Sequence, residues 1–322
     1  MNTPDLSNGV KIIFFGTSEF AVPALKKLAA DSNYEITAVI TQPDKPAGRK
    51  LELSPSPVKL ATEKLGLKVL QPPHLTSPAR AEEKDGVLPP LNGEGKGGAN
   101  LFIVASYGKI IPEAILDLPK YGTLNIHPSL LPKYRGPAPI QAAILNGDTE
   151  TGVTIMKLDE EMDHGALLGS TKFKITNPKF QDLHDKLAEM GAELLIKILP
   201  DYISGKLTPK EQDHEKATFT KIIEKDDARI DWNKPAEEID RQIRAYQVWP
   251  VAWTMLDGKR LKIFGAEIVD KAASPGKISG DLIVGCGKKS LKILELQLEG
   301  AKKITAREFA NGQKDLTSKT LA

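Results

Sequence analysis

The run Gly122-Thr123-Leu124-Asn125-Ile126-His127-Pro128 predicts a strand that carries two polar side chains to its C-terminal end. Side chains at positions i and i+2 of a strand lie on the same face, so Asn125 and His127 are predicted side by side. Pro128 lacks a backbone N–H and is expected to end the strand. Ligands of α/β sheets bind at the carboxyl ends of strands. An amide beside an imidazole suits a reaction in which an oxyanion forms and a proton moves. On these two residues alone, a polar strand end at the surface is the alternative.

Strand and helix patterns alternate through the first part of the chain. Short apolar runs predict a parallel sheet flanked by helices, with strands at Val10–Phe15, Glu35–Thr41, Lys68–Leu70, Asn100–Ala105 and Gly122–Ile126. Two more strands are predicted over Thr151–Leu158 and Leu167–Ile175. Apolar residues at helical spacing predict a helix over Phe180–Leu199. This order is typical of a Rossmann-like α/β domain.

The second part of the chain has a different pattern. One helix, Ala236–Ala245, leads into short strands predicted at Val251–Leu256, Arg260–Ala266, Gly276–Ser279, Leu282–Val284 and Leu291–Leu298. Asp257-Gly258 between two apolar runs indicates a hairpin. Several short strands in so few residues indicate a small β domain. A polar, lysine-bearing segment precedes it, so we expect one domain over residues 1–204, a linker over 205–220 and a second domain over 221–322.

The composition is that of a globular protein, with 40% hydrophobic and 27% charged residues among 322. No apolar run approaches the roughly 20 residues that span a bilayer. The N-terminal residues lack the layout of a signal peptide, and the single Cys286 allows no internal disulfide, so we expect a cytoplasmic protein. One cysteine and five histidines offer no metal-ligand spacing, and no metal is expected. The net charge of +2 says little by itself. Residues 206–322 hold 22 Lys and Arg against 18 Asp and Glu, and this positive excess fits a nucleic-acid partner for the second half and an ordinary solvated surface equally well.

Three glycine-bearing segments bear on cofactors and partners. Gly16 follows the first strand without the other glycines of a dinucleotide-binding motif, so no nicotinamide is expected. The run Gly93–Gly98 leads into the strand at Asn100 and not into a helix, which excludes a phosphate loop. The wider segment Asp85–Gly98 is predicted to be a surface loop. The Pro-rich connection after the second strand carries Lys45, Arg49 and Lys50, cations that suit contact with phosphates.

Longer motifs in this sequence resemble those of the folate-dependent formyltransferase family. They are spread over nearly the whole chain, at Lys11–Thr17, Thr41–Arg49, Asn125–Ile140, Thr151–Met156, Asp163–Gly165, Ala228–Trp232 and Ile243–Pro250. The resemblance implies a Rossmann-like formyltransferase domain followed by a C-terminal, oligonucleotide-binding-like β-barrel. It also implies 10-formyltetrahydrofolate as co-substrate and initiator methionyl-tRNA as acceptor. A monomer is expected, although the sequence does not determine the oligomeric state.

The resemblance assigns roles to individual residues. Asn125, His127 and Asp163 match the catalytic set of the family. The folate-contacting run corresponds to Ser129, Leu130, Leu131 and Pro132. His164, beside Asp163, is expected to be a loop residue without a catalytic role.

The tRNA contact is assigned to the Pro-rich loop. Arg49 matches the key arginine of a family loop that enters the acceptor end of tRNA, with Lys45 and Lys50 beside it. Leu51 and Glu52 stand where the family commonly has basic residues, which weakens the expected contact. Trp249 and Trp253 have apolar neighbours in sequence, so they are expected to pack between helix and barrel and not to stack on bases.

Other functions remain open at this point. A sugar-nucleotide formyltransferase also carries a C-terminal β domain, whereas glycinamide ribonucleotide formyltransferases are single-domain proteins. The 41–59 loop and the Arg229–Trp232 run favour the tRNA acceptor. A non-catalytic RNA-binding protein derived from a formyltransferase would not need Asn125, His127 and Asp163 intact.

Overall fold

The computed structural model describes residues 9–47, 52–75, 98–313 and 315–322. Its strands are β1 (Val10–Gly16), β2 (Tyr34–Ile40), β3 (Lys45–Ala47), β4 (Glu52–Ser54), β5 (Val69–Leu70), β6 (Leu101–Ala105), β7 (Thr123–His127), β8 (Glu150–Lys157), β9 (Leu167–Lys174), β10 (Trp253–Leu256), β11 (Lys259–Val269), β12 (Ile278–Ser279), β13 (Ile283–Gly285), β14 (Ser290–Leu298) and β15 (Ile304–Thr305). Its helices are α1 (Val22–Ala30), α2 (Pro57–Lys64), α3 (Glu113–Leu116), α4 (Pro139–Leu145), α5 (Phe180–Ile203), α6 (Ala236–Ala245) and α7 (Ala306–Asn311).

The chain forms two compact units. Unit 1 holds the described residues up to Gly136 together with Gly152–Phe173 and Asp185–Phe219, and unit 2 holds the remainder. Two short segments therefore belong with the C-terminal part. Within unit 2, Arg241 donates to the carbonyl of Leu145 and Arg244 donates to that of Pro178, each at 2.9 Å. The predicted domain limits at residues 204 and 221 stay a prediction.

Unit 1 is built on a seven-stranded sheet in the order β5-β2-β1-β6-β7-β8-β9. The five strands that are predicted to form a parallel sheet are parallel, and the ends of each strand lie within one or two residues of the predicted ends. β8 runs antiparallel to β7, which makes the sheet mixed. β1 and β6 are almost wholly buried and apolar, as central parallel strands require. Parallel pairing brings the carboxyl ends of β1, β6 and β7 to one edge, where Thr17 donates from its hydroxyl to the Tyr107 carbonyl at 2.8 Å.

Helix α5 extends beyond its predicted end at Leu199. It continues through Pro200 to Ile203. A proline in the last turn costs one backbone hydrogen bond, and Ile203 is buried against the unit, which favours continuing the helix. The prediction stopped at the proline because the sequence alone does not show that burial.

Unit 2 contains a six-stranded sheet with the path β10-β11-β14-β13-β12, and β15 pairs with β14. Asp257 and Gly258 both have positive φ, 50° and 76°, which is the backbone of a tight hairpin turn and confirms the turn prediction. The last residues connect the two ends of the path. Ala322 exchanges two backbone hydrogen bonds with Met255 of β10, and Leu321 bonds to Gly276 just before β12. This arrangement accords with a small β-barrel.

The two tryptophans of the 249–253 segment differ in their surroundings. Trp253 is buried, donates to the Lys225 carbonyl at 2.9 Å and has the Arg260 guanidinium 4.3 Å from its ring centre. Packing is therefore confirmed for Trp253. The prediction is wrong for Trp249, which is 51% exposed.

Burial of Leu321 predicts a measurable contribution to the stability of unit 2. Leu321 is 3% exposed within the core of that unit, so Leu321→Ala should lower the free energy of unfolding by about 2–5 kcal/mol. Leu294→Ala is the matched control, because Leu294 is 37% exposed. The three tryptophans, Trp232, Trp249 and Trp253, all lie in unit 2, so their fluorescence during urea unfolding reports on it. Equal losses in both variants would contradict this reading of the core.

Candidate active site

Strand β7 carries Asn125 and His127 to the edge where the parallel strands end. Val104 of β6 lies opposite Asn125, while Met156 and Thr154 of β8 lie opposite Asn125 and His127. The pair therefore sits between two neighbouring strands that fix its position. Asn125 is partly exposed, and within the described part of the chain its side-chain amide has no hydrogen-bond partner. This amide is available to a bound molecule.

The His127 ring is buried between two oxygen atoms. Its Nε2 lies 2.9 Å from the carbonyl oxygen of Tyr134, and its Nδ1 lies 3.6 Å from Oδ1 of Asp163. A carbonyl oxygen only accepts, so the short contact places a proton on Nε2. The contact to Asp163 is longer than a direct hydrogen bond. Nδ1 is therefore the nitrogen left to accept or release a proton beside a carboxylate.

Asp163 lies in the loop between β8 and β9 with a left-handed backbone, φ 49°. Aspartate tolerates this region better than most residues, but it costs on the order of 1–3 kcal/mol and persists only where neighbours hold it. The backbone N–H of Gly136 donates to Oδ2 of Asp163 at 2.7 Å. The structure thus brings together Asn125, His127 and Asp163, the three residues that the sequence assigned to catalysis.

Two buried residues with no predicted role support the backbone of Asp163. Arg135 and Gln212 are 4% and 5% exposed, and the guanidinium of Arg135 donates to Oε1 of Gln212 from Nη2 at 2.8 Å. Nε2 of Gln212 donates to the Asp163 carbonyl at 2.8 Å. Arg135 belongs to a family motif but to no predicted site, and Gln212 falls in the predicted linker. Neither local pattern nor spacing indicates this contact.

The predicted folate run is held firmly within unit 1. Ser129 donates from its hydroxyl to the Lys133 carbonyl at 2.6 Å. The buried Thr154 hydroxyl donates to the Ser129 carbonyl at 2.7 Å and accepts from the Leu131 N–H at 3.2 Å. Leu130 is only partly buried, and the Leu131–Pro132 peptide bond is cis. Several backbone polar groups of the run are therefore bonded within the protein, and its contact with folate stays a prediction.

The predicted tRNA loop is described only in part. Lys45 is exposed and donates to the side-chain oxygen of Gln42 at 2.7 Å. Arg49 and Lys50 lie outside the described residues, as does the Asp85–Gly98 segment except for Gly98. Their predicted roles stay predictions.

His164 has contacts of its own beside Asp163. Its Nδ1 is 2.7 Å from Oδ2 of Asp159, and its ring stacks on that of His214 with 4.1 Å between centres. Asp159 lies in the same loop, whereas His214 follows Gln212 and has its Nδ1 2.8 Å from Nη2 of Arg135; neither contact involves His127 directly. In the described ranges no group of three His, Cys, Asp or Glu side chains is placed to hold a metal ion. No described helix is long and apolar enough to cross a membrane.

The fold and this site define a Rossmann-like α/β enzyme with an amide, an imidazole and a carboxylate at the end of a central strand. The family model described as formyl transferase matches residues 10–199, and that of the formyl transferase C-terminal domain matches residues 222–314. The chain belongs to the formyltransferase family.

Curated relatives match over nearly their full length. The methionyl-tRNA formyltransferase of Caldanaerobacter subterraneus subsp. tengcongensis is 46% identical over 94% of this chain and 97% of the relative. That of Methylococcus capsulatus is 43% identical over 94% and 96%. Expectation and relatives therefore agree on the family.

Solved structures share the fold at lower identity. HypX from Aquifex aeolicus superposes with a TM-score of 0.64 at 19% identity, over 95% of this chain and 49% of HypX. An N-formyltransferase from Helicobacter canadensis, in complex with folinic acid and dTDP-3-aminofucose, gives 0.62 at 18% identity over 92% of this chain and 100% of that chain.

The hairpin that carries Asp163 should depend on Gly165. A Cβ atom on Gly165 would lie 2.0 Å from the Lys157 carbonyl oxygen, so Gly165→Ala must displace the backbone. We expect a loss of about 1–3 kcal/mol in the free energy of unfolding, followed by circular dichroism during denaturation. Gly169→Ala is the matched control in β9, because its Cβ would meet only Ile198 at 3.7 Å. Equal stability of the two variants would rule out the steric argument.

Proposed function

We propose that the protein transfers the formyl group of 10-formyltetrahydrofolate to the amino group of initiator methionyl-tRNA. The observation that carries the chemistry is the Asn125 amide, which has no hydrogen-bond partner among the described residues, beside the His127 ring. That ring is held between the Tyr134 carbonyl and Asp163. The acceptor is supported by relatives named for methionyl-tRNA that match the chain nearly end to end.

The geometry suits each step of formyl transfer to an amine. Attack on the formyl carbon produces a tetrahedral intermediate with an oxyanion, to which Asn125 donates an N–H. Because Nε2 of His127 is committed to the Tyr134 carbonyl, Nδ1 accepts the proton that the attacking nitrogen loses. Asp163, 3.6 Å away, stabilises the imidazolium that forms. The proton then passes to the leaving folate nitrogen, and no covalent enzyme intermediate is required.

The single cysteine, Cys286 of unit 2, is not suited to act as a nucleophile in the reaction. Cys286 is buried, and burial raises the pKa of its thiol to about 11. The thiol therefore stays protonated at neutral pH, when a nucleophilic cysteine would need to be a thiolate.

The remaining assignments complete the proposal. Ser129–Pro132 contacts the folate, and Lys45, Arg49 and Lys50 contact the tRNA. Residues 1–204 form the catalytic domain, 205–220 the connection and 221–322 a tRNA-contacting domain. We propose further that the protein acts as a monomer in the cytoplasm.

A panel of acceptors tests the reaction itself. The protein is incubated with the formyl-folate donor and charged initiator tRNA, glycinamide ribotide or an amino-sugar nucleotide, and the formylated product is identified. Formylation of methionyl-tRNA alone supports the proposal. Preference for the amino-sugar nucleotide would replace it with sugar formylation, and activity on none of the acceptors would favour a non-catalytic RNA-binding role.

Substitution within the catalytic set should strongly reduce turnover without unfolding the protein. Asn125→Ala, His127→Ala and Asp163→Ala should each reduce kcat by about a hundredfold or more, because each removes charge stabilisation or proton transfer. His74→Ala is the matched control, since His74 is exposed to solvent. Rates are measured with methionyl-tRNA on variants whose circular dichroism is unchanged. Near-normal turnover in a folded variant would remove that residue from the set.

Binding of tRNA should depend on salt and on Arg49. Each phosphate contact releases counterions, so affinity should fall linearly on a logarithmic plot against salt concentration. Arg49→Ala should reduce formylation of methionyl-tRNA while leaving folate binding unchanged. Lys26→Ala, which removes one exposed positive charge from α1, is the control. A flat salt response, or equal activity in the two variants, would argue against the tRNA loop.

A further inference from the structure

Arg135 and Gln212 form a buried polar pair next to the loop that carries Asp163. Arg135 donates to Oε1 of Gln212 from Nη2 at 2.8 Å and from Nε at 3.2 Å. From its other side-chain atom, Nε2, Gln212 donates to the carbonyls of Asp163 and Gly165, each at 2.8 Å. Water does not replace bonds lost at such depth, so these contacts constrain the loop between β8 and β9 strongly.

The segment that contains Gln212 also reaches the second partner of His127. The hydroxyl of Thr218 accepts from the Tyr134 N–H at 2.8 Å, and the Thr218 carbonyl accepts from the Arg135 N–H at 2.8 Å. Tyr134 provides the carbonyl that faces Nε2 of His127. Residues 212–218 therefore hold both groups between which the His127 ring lies.

We propose that Gln212, itself held by Arg135, is a positioning residue that sets Asp163 against His127. The inference rests on the proposed role of Asp163 in formyl transfer. Asp163 has a left-handed backbone and needs neighbours that hold it there. Gly136 holds its carboxylate and Gln212 holds its carbonyl, so together they direct Oδ1 toward Nδ1 of His127. A displacement of about 1 Å in such a site reduces rates by about a hundredfold.

The Gln212→Glu variant keeps the hydrogen bond from Arg135 and removes the hydrogen bonds to the Asp163 and Gly165 carbonyls. A glutamate still accepts from Arg135, but it places an oxygen where Nε2 donated to two carbonyl oxygens. We expect kcat to fall about tenfold to a hundredfold, while the KM for the formyl-folate donor changes less than about twofold. The reverse change at the exposed neighbour, Glu211→Gln, should leave both constants as in the wild type. A kcat equal to that of Glu211→Gln, or a rise in KM alone, overturns the proposal.

A double-mutant cycle separates positioning from a general structural role. In the Asp163→Asn background, Gln212→Glu should cost less than about threefold, because the residue through which it acts is already changed. The same loss in both backgrounds overturns the proposal. Arg135→Lys keeps the charge and loses the forked donor, so it should lower kcat even if Gln212→Glu does not fold. An unchanged kcat in Arg135→Lys overturns the proposal.

A crystal structure of Gln212→Glu tests the inference independently of the acceptor. We expect the Asp163 carboxylate to move away from the His127 ring while β7 stays in place. If the wild type formylates an acceptor and Asp163 does not move in the variant, positioning by Gln212 is overturned. If Asp163 moves but the wild type transfers no formyl group to methionyl-tRNA, positioning is supported and the proposed reaction fails.

Discussion

The rest of the site depends on one contact, the hydrogen bond from Nε2 of the buried His127 ring to the Tyr134 carbonyl. It fixes which nitrogen carries the proton and leaves Nδ1 facing Asp163. Two demands follow for the fold. The chain must turn back after His127 so that the carbonyl of Tyr134, seven residues later, lies at the end of β7. The loop after β8 must place the carboxylate of Asp163 at the same point. The 129–135 segment meets the first demand and the β8–β9 hairpin meets the second.

Both of these segments are held by contacts from distant parts of the chain. Thr154 of β8 bonds to Ser129 and Leu131, which ties the run after His127 to the neighbouring strand. Gln212 bonds to the Asp163 loop and to Arg135 at the end of that run. These bonds offset the cost of a left-handed Asp163 and a tight approach at Gly165. A site held in this way has its dipoles in place before the charge of the transition state develops.

The central features of the site could be predicted from sequence because they depend on local rules. Strand alternation places Asn125 and His127 on one face, and short apolar runs locate the strands of the parallel sheet. The Arg135–Gln212 contact could not be predicted in this way, since it joins residues 77 apart and Gln212 lies in a polar stretch typical of a linker. The end of α5 and the exposure of Trp249 could not be predicted either, because each depends on which residues pack together in the folded unit.

The groups that face or support His127 in the described part of the chain belong to unit 1. The two oxygen atoms that face the ring, the Arg135–Gln212 pair and the 129–132 run all belong to it. The same fold occurs in a solved N-formyltransferase bound to an amino-sugar nucleotide, at 18% identity. A shared framework for formyl transfer does not by itself select an acceptor. Selection between a small amine and a charged tRNA must therefore come from residues outside this set, and the proposed tRNA contacts Lys45, Arg49 and Lys50 are outside it.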